Sequence, residues 1–258
     1  MTLTALRNLG ARPLRGPVYR LILAVDLEGS TKRTNPAKGE LRRALYRLMD
    51  RALAATEIAG QHLEQPTDRG DGMLILIRPH DDVPKTALLG RLVPALTTLL
   101  AEHNATAPDP SLRMRLRVVI HAGEIHVDDW GFYGEELDVA FRLLDSPAVK
   151  KALSMARMSP LALVTSDEIF RTIIRHGYLD AGQYQPLVRV RVADQQRRGW
   201  VSTPVPVDCD QESSTCGTAV SLRSPTQAAS TPAIAAQSAG YALEINGMKP
   251  RFQVVRTS

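Results

Sequence analysis

The chain has 258 residues, with 44% apolar and 23% charged residues, 32 basic against 27 acidic side chains and a formal charge of +5. This is the composition of an ordinary globular protein of one main domain with appendages. No apolar run approaches the ~18 residues of a membrane span, and two cysteines, Cys209 and Cys216, make neither a disulfide framework nor a zinc site. With 5% aromatics and no concentrated basic stripe, a nucleic-acid surface is disfavoured, whereas a polyanionic small ligand suits the charge. No secretory signal is recognised, so a reducing, cytoplasmic setting is expected.

Residues 1–17 read as a leader, and 18–205 as the main domain. From 206 to 258 the Ser/Thr/Ala/Pro-rich composition reads as a largely disordered tail, in which Tyr241–Val255 could add a strand. Tyr19–Val25 is the first strand, an apolar run that ends on Asp26. A Gly-Ser-Thr turn follows, then a helix from Asn35-Pro36 whose apolar positions Leu41, Leu45, Leu48, Met49 and Ala52 recur at helical spacing, with Gly60 expected to close it. A hairpin is expected over 61–66 and 72–78, with Gly70-Asp71-Gly72 at its tip because glycine tolerates φ > 0.

Pro79–Pro84 reads as loop, and a second amphipathic helix follows it, with Leu88, Leu89, Leu92, Leu96, Leu99 and Leu100 at helical spacing, and stops by about Asn104. Over Leu112–His121, Arg113, Arg115 and Arg117 alternate with apolar residues, the period of a half-exposed strand. Ala122-Gly123 is expected to turn this strand into a second one, Glu124–Val127. A loop over 128–134 leads to a helix from Glu135 to Leu153 with a bend at Pro147. Leu161–Thr165 is a strand, Ser166 caps the next helix, and 186–192 with 199–203 close the domain as edge strands. The order β-α-β-β-α-β, with further C-terminal strands and helix, is an α+β sandwich on a ferredoxin-like core.

An aspartate thus ends one core strand and another stands at a neighbouring hairpin tip. Two converging carboxylates are what a pair of divalent cations needs for in-line displacement on phosphorus. Taken singly, Asp26 reads as a helix cap and Asp71 as a turn residue. His121, Glu124 and His126 tempt a metal assignment, but strand alternation and the expected turn separate them. Glu28 reads as a solvent-facing acid at the helix entry.

Three ordered motifs carry a resemblance. Leu23-Ala-Val-Asp26-Leu-Glu-Gly29-Ser-Thr31, then Arg69-Gly70-Asp71-Gly72, then Gly123-Glu-Ile with Gly134-Glu-Glu-Leu-Asp-Val-Ala-Phe-Arg142 resemble the signature of class III nucleotide cyclases over roughly residues 18–203. The resemblance implies the class III cyclase fold and two Mg²⁺ or Mn²⁺ ions on Asp26, Asp71 and the Leu27 carbonyl. It places the phosphates at Gly29, Ser30 and Thr31, and Arg142 on the charge that develops during transfer. It also implies a head-to-tail homodimer, with metals and arginine contributed by opposite subunits.

The positions of the purine-reading lysine and aspartate align with Thr67 and Gly131, so both base-reading groups are absent. The transition-state asparagine aligns with Asp138, which donates no hydrogen bond when ionised. In these departures the chain is similar to the bacterial anti-phage pyrimidine cyclases of Pycsar type. That implies synthesis of cUMP or cCMP from UTP or CTP, read by a separate effector protein. Arg189 or Arg191 could reach the triphosphate. The competing readings are a cyclase-like nucleotide sensor without turnover and a purine cyclase; a sheet-based RNA-binding module would need stacking aromatics that the sequence lacks.

Overall fold

The computed structural model describes residues 16–206; the expected leader up to residue 15, the tail beyond 206 and the strand at Tyr241–Val255 lie outside the described residues. One eight-stranded sheet runs β2-β3-β1-β4-β6-β8-β7, with β5 paired to β4 at its side. Its centre is β1 (Val18–Leu27), flanked antiparallel by β3 (Gly72–Ile77) and by β4 (Leu116–Asp128). β6 (Leu161–Ser166) joins β4 in parallel, the remaining pairings being antiparallel.

The alternation of side chains across the pleat sorts the core into two layers. On one face Leu21, Leu23, Val25 and Leu27 of β1 meet α1 (Asn35–Ala54), α3 (Val93–Thr106) and α6 (Asp167–Thr172). On the other, Ile22 and Ala24 meet α4 (Glu135–Leu144) and α5 (Pro147–Met155). Asp26 continues the file of Ile22 and Ala24, and Arg117 that of Val119. Both therefore belong to the face that α4 covers.

The structure corrects several sequence expectations. α1 ends at Ala54, not at Gly60: the Thr56 hydroxyl donates to Leu53 O at 2.6 Å and Glu57 takes φ 61°, so a side chain claims the carbonyls a further turn would use. The first hairpin arm is not 61–66. There Leu63 makes an isolated bridge to Ile77, and β2 is only Thr67–Asp68, directly after Pro66, which lacks a ladder donor. The second helical stretch starts directly after Pro84 as expected, at α2 (Lys85–Ala87), but passes through a wide π turn at Leu88–Leu92 ahead of Pro94.

Ala122-Gly123 makes no turn. β4 runs unbroken for 13 residues, with Ala122 opposite Leu21 and Gly123 opposite Arg20, and Gly123 instead leaves room for the Glu136 side chain of α4. The loop 128–134 contains β5 (Gly131–Tyr133), because Asp128 Oδ1 accepts from Trp130 N at 2.8 Å and Gly131 N at 2.9 Å and turns the chain back onto β4. The expected bend at Pro147 is a complete break between α4 and α5, capped by Ser146. Ser166 caps α6 as expected, and β7 (Gln185–Val192) and β8 (Gln195–Ser202) close the sheet.

Candidate active site

β1 ends on Asp26, with Gly72 of β3 on one side and Arg117 of β4 on the other. Gly72 is required by this packing, since a Cβ there would overlap the Val25 carbonyl oxygen and lie 3.2 Å from Asp26 Cα. The Leu27 amide donates to Asp71 O at 3.0 Å, so backbone as well as side chain ties the β1 end to the hairpin tip. Gly29, at φ 68°, turns the chain into the short 3₁₀ turn Ser30–Lys32, and the buried Ser30 hydroxyl donates to the Asp71 carboxylate.

Asp26, Asp71, Asp138 and Arg142 line one cavity of about 380 Å³, together with Arg69, Phe141 and Asp145. On α4, positions 138, 141 and 142 share one face at helical spacing, and Asp145, the residue that caps its C-terminus, continues it. Asp138 and Arg142 are exposed, and among the described residues they form no ion pair with each other. The ion pair that i,i+4 spacing on a helix would allow between them is therefore not made. A second cavity of about 380 Å³ lies on the α1 side, lined by Ser30, Thr31, Lys38, Arg42 and Tyr46 over an apolar floor that includes Leu41 and Leu45, and Asp71 and Gly72 form the wall between the two.

The electrostatics are organised by a residue that the sequence reading left on a solvent face. Arg117 pairs with Asp26 and reaches Asp145 at 3.3 Å, and its side chain is only 13% exposed. Burial pushes the Asp26 carboxyl above its ordinary value; Arg117 opposes the rise and Asp71 adds to it. The alternation of Arg113, Arg115 and Arg117, of which only Arg117 lies within β4, was the available signal, although alternation alone does not say that a helix covers its face.

Asp26 and Asp71 are hard oxygen donors close enough to repel each other, and Ser30 orients one of them. That chemistry fits Mg²⁺ or Mn²⁺. No cluster of three or more His, Cys, Asp or Glu side chains suited to a metal occurs among the described residues. His121 is instead buried against Glu136 at 2.6 Å, and His126 stacks on Tyr133. Glu28 is half-buried and faces Arg115 at 3.4 Å rather than open solvent.

Thr67 stands in β2 opposite Leu74, and Gly131 stands in β5 opposite Asp128; neither lines the cavity of Asp26 and Asp71. Arg189 and Arg191 are exposed on the edge strand β7, with Arg191 paired to Asp194 at 3.3 Å. They too lie outside that lining.

No protein-family model matches the sequence, and no curated protein matches it. Solved structures do. The adenylate/guanylate cyclase/hydrolase from Silicibacter pomeroyi aligns at 23% identity over 73% of this chain and 98% of its own, with a TM-score of 0.51. The adenylyl cyclase CyaB from P. aeruginosa aligns at 14% identity over 73% of this chain and 95% of its own, also at 0.51. The architecture is the class III nucleotide cyclase fold.

Proposed function

We propose that this chain is a metal-dependent nucleotide cyclase that converts a pyrimidine nucleoside triphosphate, UTP or CTP, to its 3′,5′-cyclic monophosphate and pyrophosphate. The observation that carries the reading is the shared cavity: Asp26 at the end of the central strand β1 and Asp71 on the hairpin turn line it together with Asp138 and Arg142 on α4. Asp26, Asp71 and the Leu27 carbonyl would hold two divalent ions, which would supply the Lewis acidity that this chemistry needs.

The chain's own groups do the rest. Backbone N–H groups of the turn Gly29–Thr31 receive phosphate oxygens, as the end of a helical turn can. Ser30 holds Asp71 in place. Arg142 offers paired donors to the charge that grows as the ribose 3′-oxygen attacks the α-phosphorus and pyrophosphate departs. Thr67 and Gly131 offer no cation or carboxylate to a purine base, which favours a pyrimidine.

Arg142 and Asp138 are exposed without an ion-pair partner among the described residues. That supports a head-to-tail homodimer in which each subunit completes the other's site. A separate cyclic-nucleotide-responsive effector, a role in anti-phage defence and a cytoplasmic location belong to the same proposal; no helix among the described residues is long and apolar enough to cross a membrane.

The Asp138 carboxylate, where a hydrogen-bond donor is wanted, and the guanidinium already on Asp26 favour a second reading, a nucleotide sensor without turnover. The test is to incubate the purified protein with Mn²⁺ and each of the four NTPs separately, and to resolve the products by chromatography. Cyclic UMP or CMP supports the proposal; cyclic AMP or GMP alone overturns the pyrimidine assignment; metal-dependent binding without product establishes the sensor.

A further inference from the structure

The turn that presents Asp71 has little ladder to hold it, because β2 contains only Thr67 and Asp68. Its internal bonds, Arg69 N to Gly72 O at 3.0 Å and Asp71 N to Arg69 O at 3.2 Å, shape the turn but do not fix it to the body. Two side chains do. Asp68 accepts from the Arg42 guanidinium, from the Gly70 amide at 3.0 Å and from the Tyr46 hydroxyl at 3.3 Å. Arg42 also donates to Gly70 O at 2.9 Å, so α1 grips both the side chain and the backbone of the turn. On the opposite side the Arg69 guanidinium lies 3.8 Å from the ring centroid of Phe141, on the face of α4 that carries Asp138 and Arg142.

We propose that Asp68 and Arg69 are a two-sided clamp that positions Asp71, one arm fastened to α1 through Arg42 and the other to α4 through Phe141. The inference rests on the metal-binding reading of Asp71, and it names positioning residues that act through that carboxylate. Because α4 also carries Asp138 and Arg142, the Arg69 arm makes the metal turn and the phosphoryl-stabilising helix move as one unit. The clamp is specific to these side chains: an alanine at 42 or 69 leaves the turn's own hydrogen bonds and its ties to Leu27 and Ser30 intact and removes only one arm of the clamp.

The experiment compares wild type with Arg42→Asp, Asp68→Arg, the double swap Arg42→Asp/Asp68→Arg, Arg69→Ala and Phe141→Leu, as full-length chains. Amide hydrogen exchange over residues 66–73 reads the attachment without metal, and the free Mn²⁺ signal in an electron paramagnetic resonance titration reads the affinity. The single variants should exchange faster across the turn and bind Mn²⁺ about 10-fold more weakly, the scale of lost outer-shell support, while melting near wild type. The double swap should recover the part of both readouts carried by the ion pair between 42 and 68, since the bonds to Gly70 are not restored by it, and Arg69→Ala combined with Phe141→Leu should be no worse than either alone. Unchanged exchange and unchanged Mn²⁺ affinity in Arg42→Asp and Arg69→Ala would overturn the clamp, as would a double swap that stays as weak as its parents. Wild type that binds no Mn²⁺ would instead overturn the metal reading of Asp71, and the exchange data would still decide the clamp.

Discussion

Gly72→Ala probes the junction on which the candidate site depends. Gly72 is buried, sits opposite Asp26 and has no space for a Cβ against the Val25 carbonyl and Asp26 Cα. The obstruction is backbone in the centre of a sheet, so no rotamer change relieves it; β1 and β3 must part by about an ångström. Overpacking of this kind costs about 1–3 kcal/mol, which lowers the melting temperature by roughly 2–12 °C for a domain of this size. The shift falls on the two strands that place Asp26 and Asp71, and a misplacement of ~1 Å costs about 100-fold in turnover. Gly123→Ala is the contrast, since its Cβ would overlap only the Glu136 side chain, which can swing away. Thermal unfolding and NTP turnover of both variants provide the assay. A Gly72→Ala protein that turns over like wild type, whatever its melting temperature, would refute the claim that strand separation here sets the carboxylate geometry.

Three further outcomes are expected. Replacing His121 by Leu strips Glu136 of its 2.6 Å partner, leaving it only Arg197 at 3.5 Å, and should cost about 1–3 kcal/mol in thermal unfolding at neutral pH. The hydrogen bond from His121 holds the Glu136 carboxyl below its ordinary 4.5, so that contribution is complete above about pH 4.5 and is lost as pH falls through the lower folded value. Glu136→Gln should flatten that acid limb; an unchanged limb would assign it to other carboxylates. Mixing Asp71→Ala with Arg142→Ala subunits should restore about one quarter of wild-type activity if subunits exchange at random and each mixed dimer keeps one intact site. No recovery, with mixed dimers verified by mass, would mean that each chain completes its own site within the cavity where both residues already lie.

Much of the site's framework was legible because its signals are local. An apolar run that stops on Asp26 and a Gly-Asp-Gly turn ahead of Met73–Ile77 need no knowledge of the rest of the chain. What escaped depends on which elements cover which face. Arg117 lies in a strand whose alternation is plain, but only the packing of α4 turns its face from solvent to site. Ala122-Gly123 reads as a turn because glycine is scarce within strands; the glycine is there for a side chain on α4. The grip of Arg42 on Asp68 joins residues 26 apart, and Arg69 over Phe141 spans a still longer separation. Neither carries any periodic trace in the sequence.

The central claim is that Asp26 and Asp71 serve a displacement in which pyrophosphate, and not orthophosphate, leaves. The direct measurement is the stoichiometry of products from UTP and CTP with Mn²⁺, counting cyclic nucleotide and pyrophosphate in the same reaction for wild type and Asp71→Asn. One pyrophosphate is expected for each cyclic nucleotide in wild type, and both should be lost in the variant. Release of orthophosphate without cyclisation, or product formation that survives Asp71→Asn, would contradict the claim.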